Sequence, residues 1–89
     1  MAEKIKILVI DDSAFMRRVI SDIINSDNRF IVVGTARNGE EGLKKIKELN
    51  PDMITLDIEM PEMNGLEMLD DLMKTNPKPV LVISVLTNE

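Results

Sequence analysis

The chain contains no cysteine, histidine, tryptophan or tyrosine. Without cysteine, disulfides, thiolate metal sites and cysteine nucleophiles are excluded. Without histidine, the commonest general base and the usual zinc ligand are missing as well. Any metal site must be built from oxygen ligands. Only two Phe represent the aromatics, so Ile, Leu, Val and seven Met must fill the core. Met is a pliable filler that adapts to irregular gaps. No apolar run has the length of a signal peptide or a membrane span, which makes a cytoplasmic location the expectation. Lys and Arg number 11 against 16 Asp and Glu, for a net charge of −5. That balance argues against nonspecific nucleic-acid binding, which requires a basic face.

The 89 residues suffice for one domain with a small core, and an apolar fraction of 44% is ordinary for a globular protein. Ile5 to Ile10 is an apolar, β-branched run that ends abruptly at Asp11-Asp12, the pattern of a strand buried on both faces. Ser13 can cap the next helix, on which Met16, Val19, Ile20, Ile23 and Ile24 recur at helical spacing. Phe30 to Val33 reads as a second strand closed by Gly34. Asn38-Gly39 signals a turn before a second helix marked by Leu43, Ile46 and Leu49, with a lysine-rich outer face. Asn50-Pro51 ends that helix, because a residue before proline disfavours the helical region. Met53 to Leu56 is a third strand, ending at Asp57. Pro61, Asn64 and Gly65 mark a loop, and Leu66, Leu69, Leu72 and Met73 then follow at helical spacing, with Met68 and Met73 expected in the core. Val80 to Val85 is a fourth strand. The order βαβαβαβ implies an α/β fold: a parallel sheet with helices on both faces.

Open parallel sheets bind ligands beyond the carboxyl ends of their strands. Strand one ends there in Asp11-Asp12 and strand three in Asp57, with Glu59 two residues on and Ser84 at the end of strand four. Aspartates at strand ends can simply start turns or cap helices. Three carboxylates on neighbouring strands, however, repel each other unless a cation neutralises them, and Mg²⁺ takes oxygen ligands of this kind. An aspartate is also a nucleophile toward phosphorus, forming an acyl phosphate whose oxygens a metal and a hydroxyl such as Ser84 can stabilise. The arginines at 17 and 18 read as a solvated face that partly offsets the negative pocket. The lysines at 44, 45 and 47 read as ordinary helix surface.

The stretches Leu-Val-Ile-Asp-Asp-Ser-Ala-Phe-Met-Arg-Arg (8–18) and Thr-Leu-Asp-Ile-Glu-Met-Pro-Glu-Met-Asn-Gly-Leu-Glu (55–67) resemble the receiver domains of two-component response regulators. With Ile-Ser-Val-Leu-Thr near the end, the resemblance is strongest to receivers of the chemotaxis methylesterase type, and it covers Lys4 to Thr87. It implies a flavodoxin-like (CheY-like) sheet in strand order 2-1-3-4. It makes Asp57 the phosphoacceptor and Asp11 and Asp12 the pair that holds Mg²⁺. Glu59 would offer its backbone carbonyl to the metal, and Ser84 would be the switch hydroxyl. Met60, Pro61 and Gly65 would belong to the loop that shapes the pocket. A sensor histidine kinase would be the phosphodonor.

The chain also departs from that family. It covers four of the usual five βα units, so the expectation is a single receiver-like domain, 1–89, truncated after the fourth strand. The family's lysine at the end of the fifth strand has no counterpart, since Lys78 lies at the other end of the fourth. A methylesterase domain with its Ser-His-Asp chemistry is absent from these residues, so the chain itself is expected not to be an enzyme. Three functions compete. One is a phosphoacceptor module. A second is a metal-binding fragment that self-associates through the exposed fourth strand, as a homodimer or by segment exchange. The third is a small aspartate-nucleophile phosphatase, which would need an acid where Glu59 stands.

Overall fold

The computed structural model describes residues 3–58 and 65–83. Within them the chain runs β1 (Ile5–Ile10), α1 (Ala14–Asn25), β2 (Phe30–Ala36), α2 (Gly39–Leu49), β3 (Met53–Leu56), α3 (Gly65–Thr75) and β4 (Val80–Val82). All neighbouring strands pair in parallel, in the order β2-β1-β3-β4. The expected topology is therefore present. All strand carboxyl ends lie along one edge of the sheet, which is where the aspartates fall.

Alternation along β1 divides the core. Leu8 and Ile10 point to one face with Ile54 and Leu56, where Ile46 of α2 and Met68 and Leu72 of α3 cover them. Ile7 and Val9 point to the other, where α1 supplies Ile20. The α2–α3 face keeps only a cleft of about 200 Å³ between the two helices, lined by Leu43, Ile46, Asp71 and Leu72 among others. The α1 face keeps an apolar groove of about 400 Å³, lined by Ile7, Ile20, Ile23, Leu81 and Ile83 among others. Burial of β1 on both faces explains why its sequence is continuous rather than alternating.

The helix ends follow from local chemistry. Ser13 caps α1 by accepting from the Met16 amide at 3.2 Å, and Asn38 caps α2 by accepting from the Glu41 amide at 2.8 Å. Asn50 ends α2 in the left-handed region (φ 45°), which Asn tolerates better than most side chains. Asp52 then fastens the start of β3, its carboxylate accepting from the Lys6 amide at 2.9 Å.

Four details differ from the sequence reading. β2 does not close at Gly34 but runs on to Ala36. Its register slips there: Ile7 pairs with Val32 and Leu8 with Gly34, so Val33 is bulged. Gly34 also admits α2, since a Cβ there would lie 2.7 Å from the Leu49 Cδ1. Gly65 is not loop but the buried first residue of α3. Met73, expected in the core, is 42% exposed, whereas Met68 is fully buried. Lys45 is more than surface: its ammonium donates to the Thr35 carbonyl at 2.5 Å and so ties α2 to β2.

Candidate metal centre

The site is assembled by continuing the sheet's hydrogen-bond ladder one residue past the strands. The Asp11 amide donates to the Ala36 carbonyl, and the Asp57 amide donates to the Ile10 carbonyl, both at 3.0 Å. Asp57 is thereby fixed beside the end of β1. The Ile83 amide donates to the Leu56 carbonyl at 2.9 Å and extends β4 to the same edge. Carboxylate oxygens of Asp11, Asp12 and Asp57 come within 4.8 Å of one another.

The three acids differ in setting. Asp11 is 4% exposed, and its Oδ1 accepts from the Ser13 amide at 2.9 Å. Asp12 is exposed and Asp57 half-buried. Burial pushes the Asp11 carboxyl above the ordinary aspartate range, and the Asp57 and Asp12 charges push the same way, against the Ser13 hydrogen bond.

The donor set suits a hard cation. Three carboxylates with no imidazole or thiolate favour an oxygen-coordinated divalent ion, and two partly open groups leave room for water in its shell. The cluster can therefore hold a metal ion, and doing so would relieve the strain on Asp11.

Gly65 bears on the site from the other side. Its amide donates to the Ile58 carbonyl at 3.0 Å. A Cβ at this position would collide with the Ile58 Cα and lie 2.9 Å from the Asp57 carbonyl oxygen. Only glycine lets α3 begin this close to the backbone that carries Asp57. Glu59, Met60, Pro61 and Ser84, the other expected site residues, lie outside the described residues.

Sequence reasoning missed Arg17. Its guanidinium folds back and donates to the Asp11 carbonyl at 2.8 Å. Arg18, grouped with it as solvated surface, does point outward, with its side chain 84% exposed and paired to Asp22.

This arrangement accords with comparison to known proteins. The family model "Response regulator receiver domain" matches residues 7–89. The chain belongs to the response regulator receiver domains. A protein-glutamate methylesterase/protein-glutamine glutaminase from Halalkalibacterium halodurans is 57% identical over 89 residues, all of this chain and 26% of the relative. The response regulator domain of Thermotoga maritima CheB superposes with a TM-score of 0.90 at 52% identity, over 98% of this chain and 65% of that one. A chain from the Borrelia burgdorferi CheX–CheY–BeF3–Mg²⁺ complex gives a TM-score of 0.83 at 37% identity, over 94% of this chain and 64% of that one. The chain thus spans about a quarter of the curated relative and about two thirds of the solved receiver. The receiver is of the kind found in chemotaxis two-component signalling.

Proposed function

We propose that this receiver is a phosphoacceptor in a chemotaxis-type pathway, phosphorylated on Asp57 in the presence of Mg²⁺. The convergence of Asp11, Asp12 and Asp57 at the carboxyl ends of β1 and β3 carries the reading. An Asp57 carboxylate oxygen attacks the phosphorus of a phosphohistidine on a sensor histidine kinase. The P–N bond breaks as the P–O bond forms, and the imidazole leaves with a proton from solvent. Bound Mg²⁺ would neutralise charge on the phosphoryl oxygens. Asp11 and Asp12 would hold the metal, with the Glu59 carbonyl as a further ligand, and the Ser84 hydroxyl would be the switch that meets the phosphoryl group. Gly65, with Met60 and Pro61, shapes the pocket.

The relatives' shared description supports a further step. In the whole protein, phosphorylation here regulates a protein-glutamate methylesterase. The setting is the cytoplasm. No helix among the described residues is long and apolar enough to cross a membrane.

The test is incubation with Mg²⁺ and acetyl phosphate, followed by intact-mass measurement. A phosphoryl adduct is expected that disappears in Asp57→Asn and in the presence of a chelator. Mg²⁺ binding without any adduct would overturn the phosphoacceptor reading and leave a binding module.

One observation favours self-association as a second property. Among the described residues β4 is an edge strand, and its Leu81 and Val82 are 51% and 45% exposed, beside the open groove of the α1 face. A bare apolar edge invites pairing with another copy, as a homodimer through β4 or by segment exchange. Light scattering after size exclusion should give a dimer mass at high concentration; a folded monomer there rejects the homodimer.

A further inference from the structure

We propose that Arg17 is a positioning residue for the metal site, holding the Asp11–Asp12 peptide in the orientation that aims Asp12 at the cation. This rests on the metal reading above and adds to it a residue outside the carboxylate set.

Three anchors act on this short turn. The Asp11 amide is bound to Ala36 at 3.0 Å, and its carboxylate to the Ser13 amide at 2.9 Å. The third is the half-buried Arg17 guanidinium on the Asp11 carbonyl, at 2.8 Å. The carbonyl of Asp11 belongs to the same rigid peptide plane as the amide of Asp12. Fixing that oxygen therefore restrains the plane that carries the Asp12 amide and Cα, and so the point from which the Asp12 side chain departs. Asp12 is the exposed member of the cluster and has the most freedom to lose its alignment. Arg17 is suited to the task because its own amide donates to the Ser13 carbonyl at 2.9 Å, so the guanidinium reaches back from the first turn of a capped helix.

Arg17 has two opposed effects on a cation. Its positive charge repels Mg²⁺, and its hydrogen bond preorganises the ligands. The charge is half-exposed and screened by solvent and salt. Geometry weighs more, because Mg²⁺ demands a near-ideal octahedron and groups that orient its ligands commonly change affinity by about 10–100-fold. Positioning should therefore win.

The experiment is calorimetric titration of the chain with MgCl₂, paired with amide hydrogen exchange on the metal-free protein. In Arg17→Met, Mg²⁺ affinity should fall about tenfold. Exchange at the Ser13 amide should quicken while the amides of Leu8 and Val9 stay protected. Arg17→Lys keeps a donor within reach of the carbonyl and should recover most of both effects. Equal or tighter Mg²⁺ binding by Arg17→Met overturns the proposal, as does unchanged Ser13 exchange. If the unaltered chain takes up no Mg²⁺, the metal reading fails and this proposal fails with it. If the unaltered chain binds and the variants match it, only the role of Arg17 is rejected.

Discussion

Asp27 and Asp11 lie at opposite ends of the same sheet and titrate in opposite directions. Asp27 precedes β2 and meets Arg29 two residues away, at 2.7 Å. That hydrogen bond holds its carboxyl at about 2. Asp11 follows β1, and burial beside two like charges pushes its carboxyl upward. An acid neutralised by its own chain is a local clamp. An acid confined with two others is a standing electrostatic cost in the metal-free protein, and that cost becomes affinity once a cation arrives.

This contrast can be tested most severely by removing a ligand. Asp12→Asn should weaken Mg²⁺ binding by more than about tenfold in a calorimetric titration, since an amide oxygen carries no charge to offset the cation. Crowding the site from α3 comes next. Gly65→Ala should destabilise the protein by about 1–3 kcal/mol in urea unfolding, because Ile58 and the Asp57 carbonyl leave no space for a methyl group. Equal stability would mean that α3 shifts without cost.

Asp11→Asn should act with the opposite sign. It should stabilise the metal-free protein at pH 7 by on the order of 1 kcal/mol, seen as a higher melting temperature, while abolishing the rise that Mg²⁺ gives the unaltered chain. A lower melting temperature would show that the Ser13 hydrogen bond outweighs burial and repulsion.

The pH profile separates the two ends. The folded Asp11 binds its proton more tightly than the unfolded group, whose ordinary value is 3.8. Metal-free stability should therefore fall as pH rises from that value through the raised folded one. The folded Asp27 binds its proton less tightly, so its contribution is present above 3.8 and is lost as pH drops toward 2. Melting temperatures against pH should show both declines, with Asp11→Asn removing the upper one and Asp27→Asn the lower. The smallest effect is that of Asp27→Asn at pH 7 on Mg²⁺ affinity, which should not change.

Much of the fold was legible because each cue is local. The two-faced burial of β1 is written in its unbroken apolar run, the caps in Ser13 and Asn38, and the end of α2 in Asn50-Pro51. β2 was cut short because glycine in a strand signals either a terminus or a close approach, and Leu49 arrives there from a distant helix. Met73 was misplaced for a related reason: its helical spacing is apolar, but α3 faces the sheet through Met68 and Leu72.

The aspartates divide along the same line. Short stretches of chain are enough to put Asp11, Asp12 and Asp57 at strand ends, to make their ligand atoms oxygen, and to exclude histidine and cysteine from the task. The adjacency of β1 and β3 was expected as well, and the sheet bears it out; how near the three carboxylates come, with oxygens within 4.8 Å of one another, is a property of the tertiary structure. It alone showed Gly65 against the Asp57 backbone and Arg17 turned back onto Asp11. Residue type and strand position are properties of short stretches of chain. Convergence and side-chain direction depend on which elements pack together, and that is set by burial across the whole sheet.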